Sequence, residues 1–242
     1  MLELIVPDWP APPRVRALST TRAGGCSAAP YASLNLGDHV GDDPRAVAAN
    51  RALLARHMPV PPRWLRQVHG VCCIDAETPG DSPEADACLT RGTAHACAVL
   101  TADCLPLLLC DEDGSVVAAA HAGWRGLVGG VIESTVAAMA VPASRLLAWL
   151  GPAIGPTAFE VGDEVRAAFA TADSRAVAAF VPHGQGKWLC DLHALARMRL
   201  ARLGVERLYG DPSCTFTDAA RFFSYRRDGT TGRTATAIWL AE

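Results

Sequence analysis

Short apolar runs recur along the chain, and the most continuous of them lie in its middle. ACAVLT (96–101) and LPLLLC (105–110) contain almost no strongly polar side chain, which is typical of strands buried on both faces. Gly, Pro and Asp residues bound these runs and keep them shorter than a helix. The pattern predicts strands over residues 15–20, 63–68, 71–75, 96–101, 105–110, 115–120, 145–150 and 234–240.

A different spacing, with apolar residues three and four positions apart, indicates helices in other segments. Asp43 before Pro44 predicts a helix start, while Asp191 and Gly204 are typical of a helix cap and a helix stop. The predicted helices span residues 44–57, 124–140, 162–170 and 193–203. Because strands and helices mix without a strict βαβ order, we predict an α+β fold with mixed sheets rather than a Rossmann fold.

The composition bounds the class of protein. Of the 242 residues, 50% are hydrophobic and 19% are charged, which supplies a sizeable core and excludes an overall disordered chain. The length fits one large domain or two small ones. The formal net charge of -3 argues against a general nucleic-acid-binding protein, because such proteins usually have a basic excess.

No segment has the character of a membrane span or of a secretory signal. The most apolar stretch, 96–110, carries Asp103 and Pro106 in its middle, and Glu3 and Pro7 interrupt the first residues. We therefore expect no membrane partner, and we interpret the nine cysteines as reduced thiols of a cytoplasmic protein. The cysteines expected in the core are Cys88, Cys97, Cys110 and Cys214.

Three polar residues stand where predicted strands meet loops: His69, Cys104 and His121. Their separations of 35 and 17 residues match no zinc-finger spacing, but catalytic metal sites often gather ligands from separate strands. Two imidazoles and one thiolate suit zinc, and three protein ligands leave a fourth position open. The same residues also permit a metal-free site, in which Cys104 is a nucleophile and either histidine is its base.

Two glycine-rich turns each carry one arginine. Arg22 lies in TTRAGG and Arg125 in HAGWRG, so each is either a solvated charge or part of a phosphate-binding turn. Neither turn matches a dinucleotide-binding fingerprint or a P-loop, so a nucleotide cofactor is unsupported. Arg226 and Arg227 are interpreted as a solvated pair.

Several of these features belong to a longer series of motifs. Together the motifs resemble the YfiH-like family over about residues 15 to 240. Its members carry the older description of multicopper polyphenol oxidase or laccase-domain proteins, and are now described as purine nucleoside phosphorylases with adenosine deaminase side activity. Two positions differ from the family pattern: Tyr225 stands in place of His, and Leu127 in place of a frequent Thr. The motifs occur in the order STTRAGG (19–25), YASLNLGDHVGDDP (31–44), NR (50–51), QVHG (67–70), EADA (84–87), TADCLP (101–106), AHAGWRG (120–126), GPAIGP (151–156), FEVG (159–162), CT (214–215) and FFSYRRDGTTGR (222–233).

The resemblance implies a metal site and an architecture. It implies one zinc ion per chain, held by His69, Cys104 and His121, with copper as an adventitious replacement. It also implies a single α/β/β/α layered domain over residues 1–242, with residues 1–14 as an N-terminal arm. That domain is similar to the catalytic domain of cytotoxic necrotizing factor toxins, which use a Cys/His pair.

The activity implied by the resemblance is phosphorolysis of adenosine- and inosine-type nucleosides, together with deamination of adenosine. Purine nucleosides and phosphate are thus the expected partners. Arg22 and Arg125 are the phosphate candidates, because both flank glycine turns. Asn35 is a candidate for hydrogen bonding to the ribose or base. Asp103 is expected to orient a ligating histidine, or else to carry a proton.

Three alternatives use the same residues differently. A cysteine hydrolase acting on an amide, such as a cell-wall precursor peptide, needs Cys104 and one histidine but no metal. Copper-dependent phenol oxidation is disfavoured, because a multicopper enzyme needs many more histidines than the seven in this chain, which contains no H-x-H pair. A metal-binding interaction domain is disfavoured by the glycine-rich rim, which indicates an open pocket.

Overall fold

The structure is a computed structural model that describes residues 2–242. Short 3₁₀ turns cover Ala143–Arg145 and Ser174–Ala179. The strands are β1 (Leu4–Ile5), β2 (Val15–Thr20), β3 (Pro62–Arg63), β4 (Cys73–Asp75), β5 (Ala87–Thr90), β6 (Ala96–Thr101), β7 (Leu105–Asp111), β8 (Val117–Ala122), β9 (Leu146–Leu150), β10 (Glu160–Gly162), β11 (Phe180–Pro182), β12 (Lys187–Cys190), β13 (Arg207–Gly210) and β14 (Thr234–Leu240). The helices are α1 (Pro44–Ala55), α2 (Trp124–Gly129), α3 (Val131–Met139), α4 (Asp163–Ala172), α5 (Leu192–Leu203) and α6 (Tyr225–Asp228).

Two large sheets carry the fold. One has five strands in the order β1-β2-β14-β6-β3, and the other has six in the order β13-β9-β7-β8-β5-β4. Most neighbours are antiparallel, but β3/β6, β4/β5 and β9/β13 are parallel pairs. Strands β10, β12 and β11 form a small antiparallel sheet. The predicted α+β class with mixed sheets is confirmed.

Alternating residues of the central strands feed two different apolar layers. On β7, Leu107 and Leu109 pack with the helical layer formed by α2 to α5, whereas Leu108 and Cys110 face the five-stranded sheet. On the far side of that second sheet, Leu54 of α1 completes a third layer. The order is therefore helices, sheet, sheet, helix. Both large sheets are covered on both faces, which explains the nearly continuous apolar runs in the sequence.

One predicted helix is divided in two. Residues 124–140 were predicted as continuous, but Gly130 adopts φ +106 and separates α2 from α3. A positive φ is inexpensive only for glycine, so the Gly129–Gly130 pair allows the chain to turn between the helices. The spacing of apolar residues continues across the turn: Leu127 of α2 and Val131 of α3 are both buried against the six-stranded sheet.

The predicted strand over 63–68 is mostly wrong. The backbone pairs with β6 only at Pro62 and Arg63. Further along, the Gln67 side chain takes the place of a strand: its amide donates to Leu100 O at 2.8 Å and accepts from Leu100 N at 2.7 Å. This side-chain pairing ties the loop to β6 while leaving its backbone free to turn toward His69.

The cysteines follow the predictions with one exception. Cys88, Cys97 and Cys110 are fully buried. Cys214 was expected in the core but is half-buried, and its Sγ accepts the N–H of Gly155 at 3.1 Å. No helix within residues 2–242 combines the length and apolar character needed to cross a bilayer.

Candidate functional site

The structure brings His69, Cys104 and His121 together. Their ligand atoms all lie within 4.8 Å of one another. His121 lies near the end of β8, Cys104 directly precedes β7, and His69 lies in the loop before β4. The distance from Cys104 Sγ to His69 Nε2 is 3.7 Å, and the two imidazole rings meet edge to face with centroids 4.7 Å apart.

The cluster fits a metal ion of the zinc type. In a tetrahedral site, normal Zn–S and Zn–N distances place a sulfur and a nitrogen ligand about 3.5 Å apart, close to the 3.7 Å between Cys104 and His69. Two imidazoles and a thiolate suit zinc and also copper. Three protein ligands are typical of a catalytic site, because the fourth position stays open.

Asp86 supports the cluster from beneath. It is fully buried and is the aspartate of the EADA motif (84–87), directly before β5. Its Oδ1 accepts the N–H of His69 at 2.9 Å and lies 2.8 Å from His121 Nδ1, while Oδ2 accepts the N–H groups of Val68 at 3.1 Å and Gly70 at 2.7 Å. A proton on His121 Nδ1 leaves the lone pair of Nε2 for the cluster.

Asp86 was not among the candidates selected from sequence. The available signal was a carboxylate at the start of a strongly apolar strand. A buried carboxylate is costly unless it is paired and hydrogen-bonded, so its position already predicts several donors around it.

The cluster without metal is electrostatically coupled. Burial opposes ionisation of the Cys104 thiol, but the facing charge of His121 and hydrogen bonds from both histidines lower its pKa to about 6. Burial also disfavours a charged His121, yet the Cys104 thiolate and Asp86 raise the pKa of His121 to about 9. Between these values the metal-free pair is a thiolate and an imidazolium.

Gly123 leaves the space in which the ligands meet. A Cβ at this position would lie 2.8 Å from His69 Cδ2 and 2.9 Å from Cys104 Sγ. Gly123→Ala is therefore expected to displace both ligands and to weaken zinc binding by about 10-fold or more, as measured by competition with a chelator. Gly92→Ala is the matched control, because nothing lies closer than 3.8 Å to its added Cβ. Equal zinc affinity in both variants would contradict the assigned geometry.

A cavity of about 510 Å³ opens beside the cluster. It combines apolar and aromatic surface with three arginines, and it includes His39, which was not assigned from sequence. Its lining comprises His39, Gln67, His69, Leu100, Thr101, Ala102, Asp103, Cys104, His121, Trp124, Arg125, Ile154, Phe159, Leu192, Tyr225, Arg226 and Arg233. Such a mixture of aromatic walls and a few polar groups is typical of a small-molecule site.

Arg125 lines the cavity, whereas Arg22 does not. The Arg125 guanidinium lies 4.4 Å from the Trp124 ring centroid and is exposed. Arg22 donates to the carbonyls of Ala32 and Ala219 at 2.9 and 3.0 Å and stacks over Phe223. The donors of Arg22, a phosphate candidate from the sequence, thus join distant loops away from the cavity.

Asn35, the candidate for hydrogen bonding to ribose or base, finds its partners within the protein. It is fully buried. Its Nδ2 donates to Gly37 O and Asp42 Oδ2, and its Oδ1 accepts the N–H groups of Gly37 and Arg233, all at 2.9 to 3.0 Å. Both amide hydrogens and both lone pairs are thus used within the protein.

Asp103 lines the cavity but orients no histidine. Its Oδ1 accepts from the Thr215 hydroxyl at 2.7 Å, and its Oδ2 accepts from the Ser224 hydroxyl at 3.0 Å and the Arg226 N–H at 2.7 Å. The carboxylate therefore fixes the segment that carries Tyr225 and Arg226. The histidine-orienting role expected of Asp103 is filled by Asp86.

The segment at 224–228 forms the outer wall of the cavity. Tyr225, at the position where the family pattern has His, is 62% exposed and faces the opening. Arg226 lines the cavity, whereas Arg227 donates to the carbonyls of Thr215, Phe216 and Phe222. The interpretation of Arg226 and Arg227 as a solvated pair is therefore wrong for Arg227.

Comparison with known proteins places this site in a family. The family model described as "Multi-copper polyphenol oxidoreductase laccase" matches residues 16–241. A Pseudomonas aeruginosa protein named purine nucleoside phosphorylase is 54% identical, with 98% of each chain covered. The Escherichia coli protein named purine nucleoside phosphorylase YfiH is 55% identical, over 99% of this chain and 100% of the relative.

Solved structures agree with the sequence relationship. A Neisseria meningitidis protein superposes with a TM-score of 0.97 at 52% identity, covering 99% of both chains. Bacillus licheniformis YfiH gives a TM-score of 0.86 at 29% identity, over 94% of this chain and 93% of that one. By sequence, by the family model and by structure, the chain belongs to the YfiH-like family.

Proposed function

We propose that this protein is a zinc-dependent purine nucleoside phosphorylase that also deaminates adenosine. The observation that carries the proposal is the His/Cys/His cluster at the wall of a cavity of about 510 Å³ that also holds arginines and aromatic rings. The names of the Pseudomonas and Escherichia relatives support the nucleoside and phosphate chemistry. The products are the free base and ribose 1-phosphate.

In this proposal His69, Cys104 and His121 hold zinc, with copper as an adventitious replacement. Zinc at this site supplies Lewis acidity toward water or a substrate oxygen. Asp86 holds His121 in the tautomer that ligation requires and fixes the loop that carries His69. All nine cysteines are free thiols, which supports the proposed cytoplasmic location.

The remaining cavity residues bind the substrate. In phosphorolysis a phosphate oxygen forms a bond to C1′ as the bond from C1′ to the purine nitrogen breaks, and the electron pair leaves with the base. Arg125 offers an exposed guanidinium to the phosphate. The faces of Trp124, Phe159 and Tyr225 supply apolar surface for the purine and ribose.

A metal-free cysteine hydrolase is the second candidate. It is favoured by the proximity of Cys104 to His121, whose ligand atoms lie within 4.8 Å, and by the contact of His121 Nδ1 with Asp86 Oδ1 at 2.8 Å. Together these residues can act as nucleophile, base and orienting carboxylate. The lowered pKa of Cys104 also gives a thiolate at neutral pH. The two candidates differ in whether the thiolate is committed to a metal.

Alkylation of Cys104 separates the two candidates. Purified protein is expected to contain about one zinc per chain, and its Cys104 should resist iodoacetamide. Chelation should expose the thiol and stop turnover of adenosine and inosine, and zinc should restore both. The extent of alkylation is measured by mass spectrometry of peptides, with the exposed Cys26 as an internal reference that reacts equally in both forms.

The same samples test the reaction itself. Inosine should give hypoxanthine and ribose 1-phosphate only when phosphate is present, as read by chromatography. Rapid alkylation of Cys104 in zinc-replete, fully active protein would overturn the zinc mechanism. Activity that rises after chelation would favour the cysteine hydrolase.

A further inference from the structure

A second cavity adjoins the first and is rich in cations. Its volume is about 360 Å³. Trp124, Arg125, Phe159 and Arg226 line both cavities, so these four residues form the boundary between them. Lys187 lies on the outer side of this boundary. Two arginines and a lysine thus surround one opening in a chain whose net charge is -3.

The two arginines are held in place by aromatic rings. Arg125 lies over Trp124 with 4.4 Å between guanidinium carbon and ring centroid, and Arg226 lies over Phe159 at 5.2 Å. Arg226 Nη1 donates to Glu160 O at 2.6 Å, while its backbone N–H is fixed by Asp103. These contacts position both side chains and still leave most of their N–H donors without a partner among residues 2–242.

No carboxylate neutralises these cations in the part of the chain that the structure describes. Within residues 2–242, Arg125, Arg226 and Lys187 form no ion pair. The ion pairs present there involve other cations. The outer cavity does contain two acidic residues, Glu160 and Glu164. Glu160 pairs with His183 at 2.9 Å, and the Glu164 carboxylate folds back onto Gly162 at the start of α4.

We propose that Arg125 and Arg226, with Lys187 at the edge, form an oxyanion subsite for a phosphate group. Two guanidinium groups that line the same opening can each donate two hydrogen bonds to phosphate oxygens, and a lysine adds a flexible point charge. The inference deepens the proposed function, on which it rests, by placing the phosphate between the metal cluster and solvent. The same chemistry would recognise free inorganic phosphate or the phosphate ester of a nucleoside 5′-monophosphate.

The test measures phosphate binding separately from turnover. Zinc-loaded protein is titrated with inorganic phosphate by calorimetry. Intrinsic tryptophan fluorescence, to which Trp124 beneath Arg125 contributes, gives a second readout. Arg226→Gln and Arg125→Gln should each raise the phosphate Kd by about 10- to 100-fold. Lys187→Gln should raise it about threefold, because its charge is exposed. The KM for inosine should change much less than the KM for phosphate.

Arg221→Gln is the matched control. Arg221 also stacks on an aromatic ring, Phe222, but lies outside both cavities and pairs with Glu3. Its phosphate Kd should equal that of the unmodified protein. Arg226→Lys should bind phosphate with intermediate affinity, since it keeps the charge but loses the fork. Zinc content and Tm, measured for every variant, show that each one is folded.

The outcomes test the phosphate subsite separately from the proposed phosphorylase function. Phosphate binding that is lost in the arginine variants, in a protein that turns over no nucleoside, would support the subsite and contradict the proposed function. Phosphate-dependent inosine cleavage with an unchanged phosphate Kd in both arginine variants would overturn the subsite. So would a failure of the unmodified protein to bind phosphate. A third outcome is that inosine 5′-monophosphate competes in the unmodified protein, and that the arginine variants lose this competition but keep the KM for phosphate. That outcome would assign the subsite to the phosphate ester of the nucleotide rather than to free phosphate.

Discussion

Asp86→Asn is expected to weaken zinc binding by about 10- to 100-fold. The carboxylate has four acceptor positions in use: Oδ1 serves His121 Nδ1 and the His69 N–H, and Oδ2 serves the N–H groups of Val68 and Gly70. An asparagine keeps only one oxygen. Whichever way the amide is oriented, its NH₂ faces two groups that need an acceptor.

The two orientations fail differently, and both harm the site. With the amide nitrogen toward Val68 and Gly70, the loop before His69 loses its anchor. With the amide nitrogen toward His121, the imidazole must accept at Nδ1 and carry its proton on Nε2, so it presents no lone pair to a metal. The zinc Kd, measured by chelator competition, reports either failure directly.

Asp111→Asn is the matched control for this variant. Asp111 is also buried and accepts three hydrogen bonds, from the N–H and hydroxyl of Ser115 and the N–H of Val116. Its loss should lower Tm without changing the zinc Kd. If both variants lose stability alike and both retain zinc, Asp86 is only a structural carboxylate.

Cys104→Ala is expected to abolish nucleoside turnover and most zinc binding, whereas Cys110→Ala retains both. Cys104 supplies the only thiolate of the cluster. Cys110 is fully buried between the two sheets, where burial and the neighbouring Asp111 raise its pKa to about 12 and keep it neutral. Its removal should lower the free energy of unfolding by ~1–2 kcal/mol.

The two cysteine variants are compared at equal folded fraction, with zinc content measured alongside kcat. Turnover by Cys104→Ala that remains within a few-fold of the unmodified protein would remove this thiol from the mechanism. An equal loss of turnover in the two variants would show that the active cavity lies elsewhere.

The sequence predicts the layers well because burial on both faces leaves a local signal. Strands β2 and β14 coincide with the predicted 15–20 and 234–240. Gly130 divides a predicted helix because apolar periodicity does not register a turn that keeps the same face buried. The small sheet of β10, β11 and β12 was missed, since its strands of three to four residues are too short to show a period.

The site is harder to predict from the sequence than the layers are, because its polar side chains form hydrogen bonds with residues far away along the chain. Asp86 reaches His121 across 35 residues. The sequence gives no sign of the contact between Arg22 and the Ala219 carbonyl, because the two residues lie 197 positions apart. Arg125 and Arg22 stand in similar glycine turns and both stack on an aromatic ring. The difference is that Arg22 also donates to the carbonyls of Ala32 and Ala219.

Strand β14 lies between β2 and β6 in the middle of its sheet, although it is the last strand of the chain. Its pairing with β2 joins Ser19 to Thr236, 217 residues apart, through a hydroxyl contact of 2.8 Å. During synthesis, Ser19 must therefore wait until a residue 217 positions later has been made before it gains this neighbour. Pairing over such separations is slow, because the entropy cost of closing the long loop comes before any stabilising contact forms. Until β14 is made, the edges of β2 and β6 that it will cover have no partner strand, so the nascent chain is most prone to aggregation just before β14 is added.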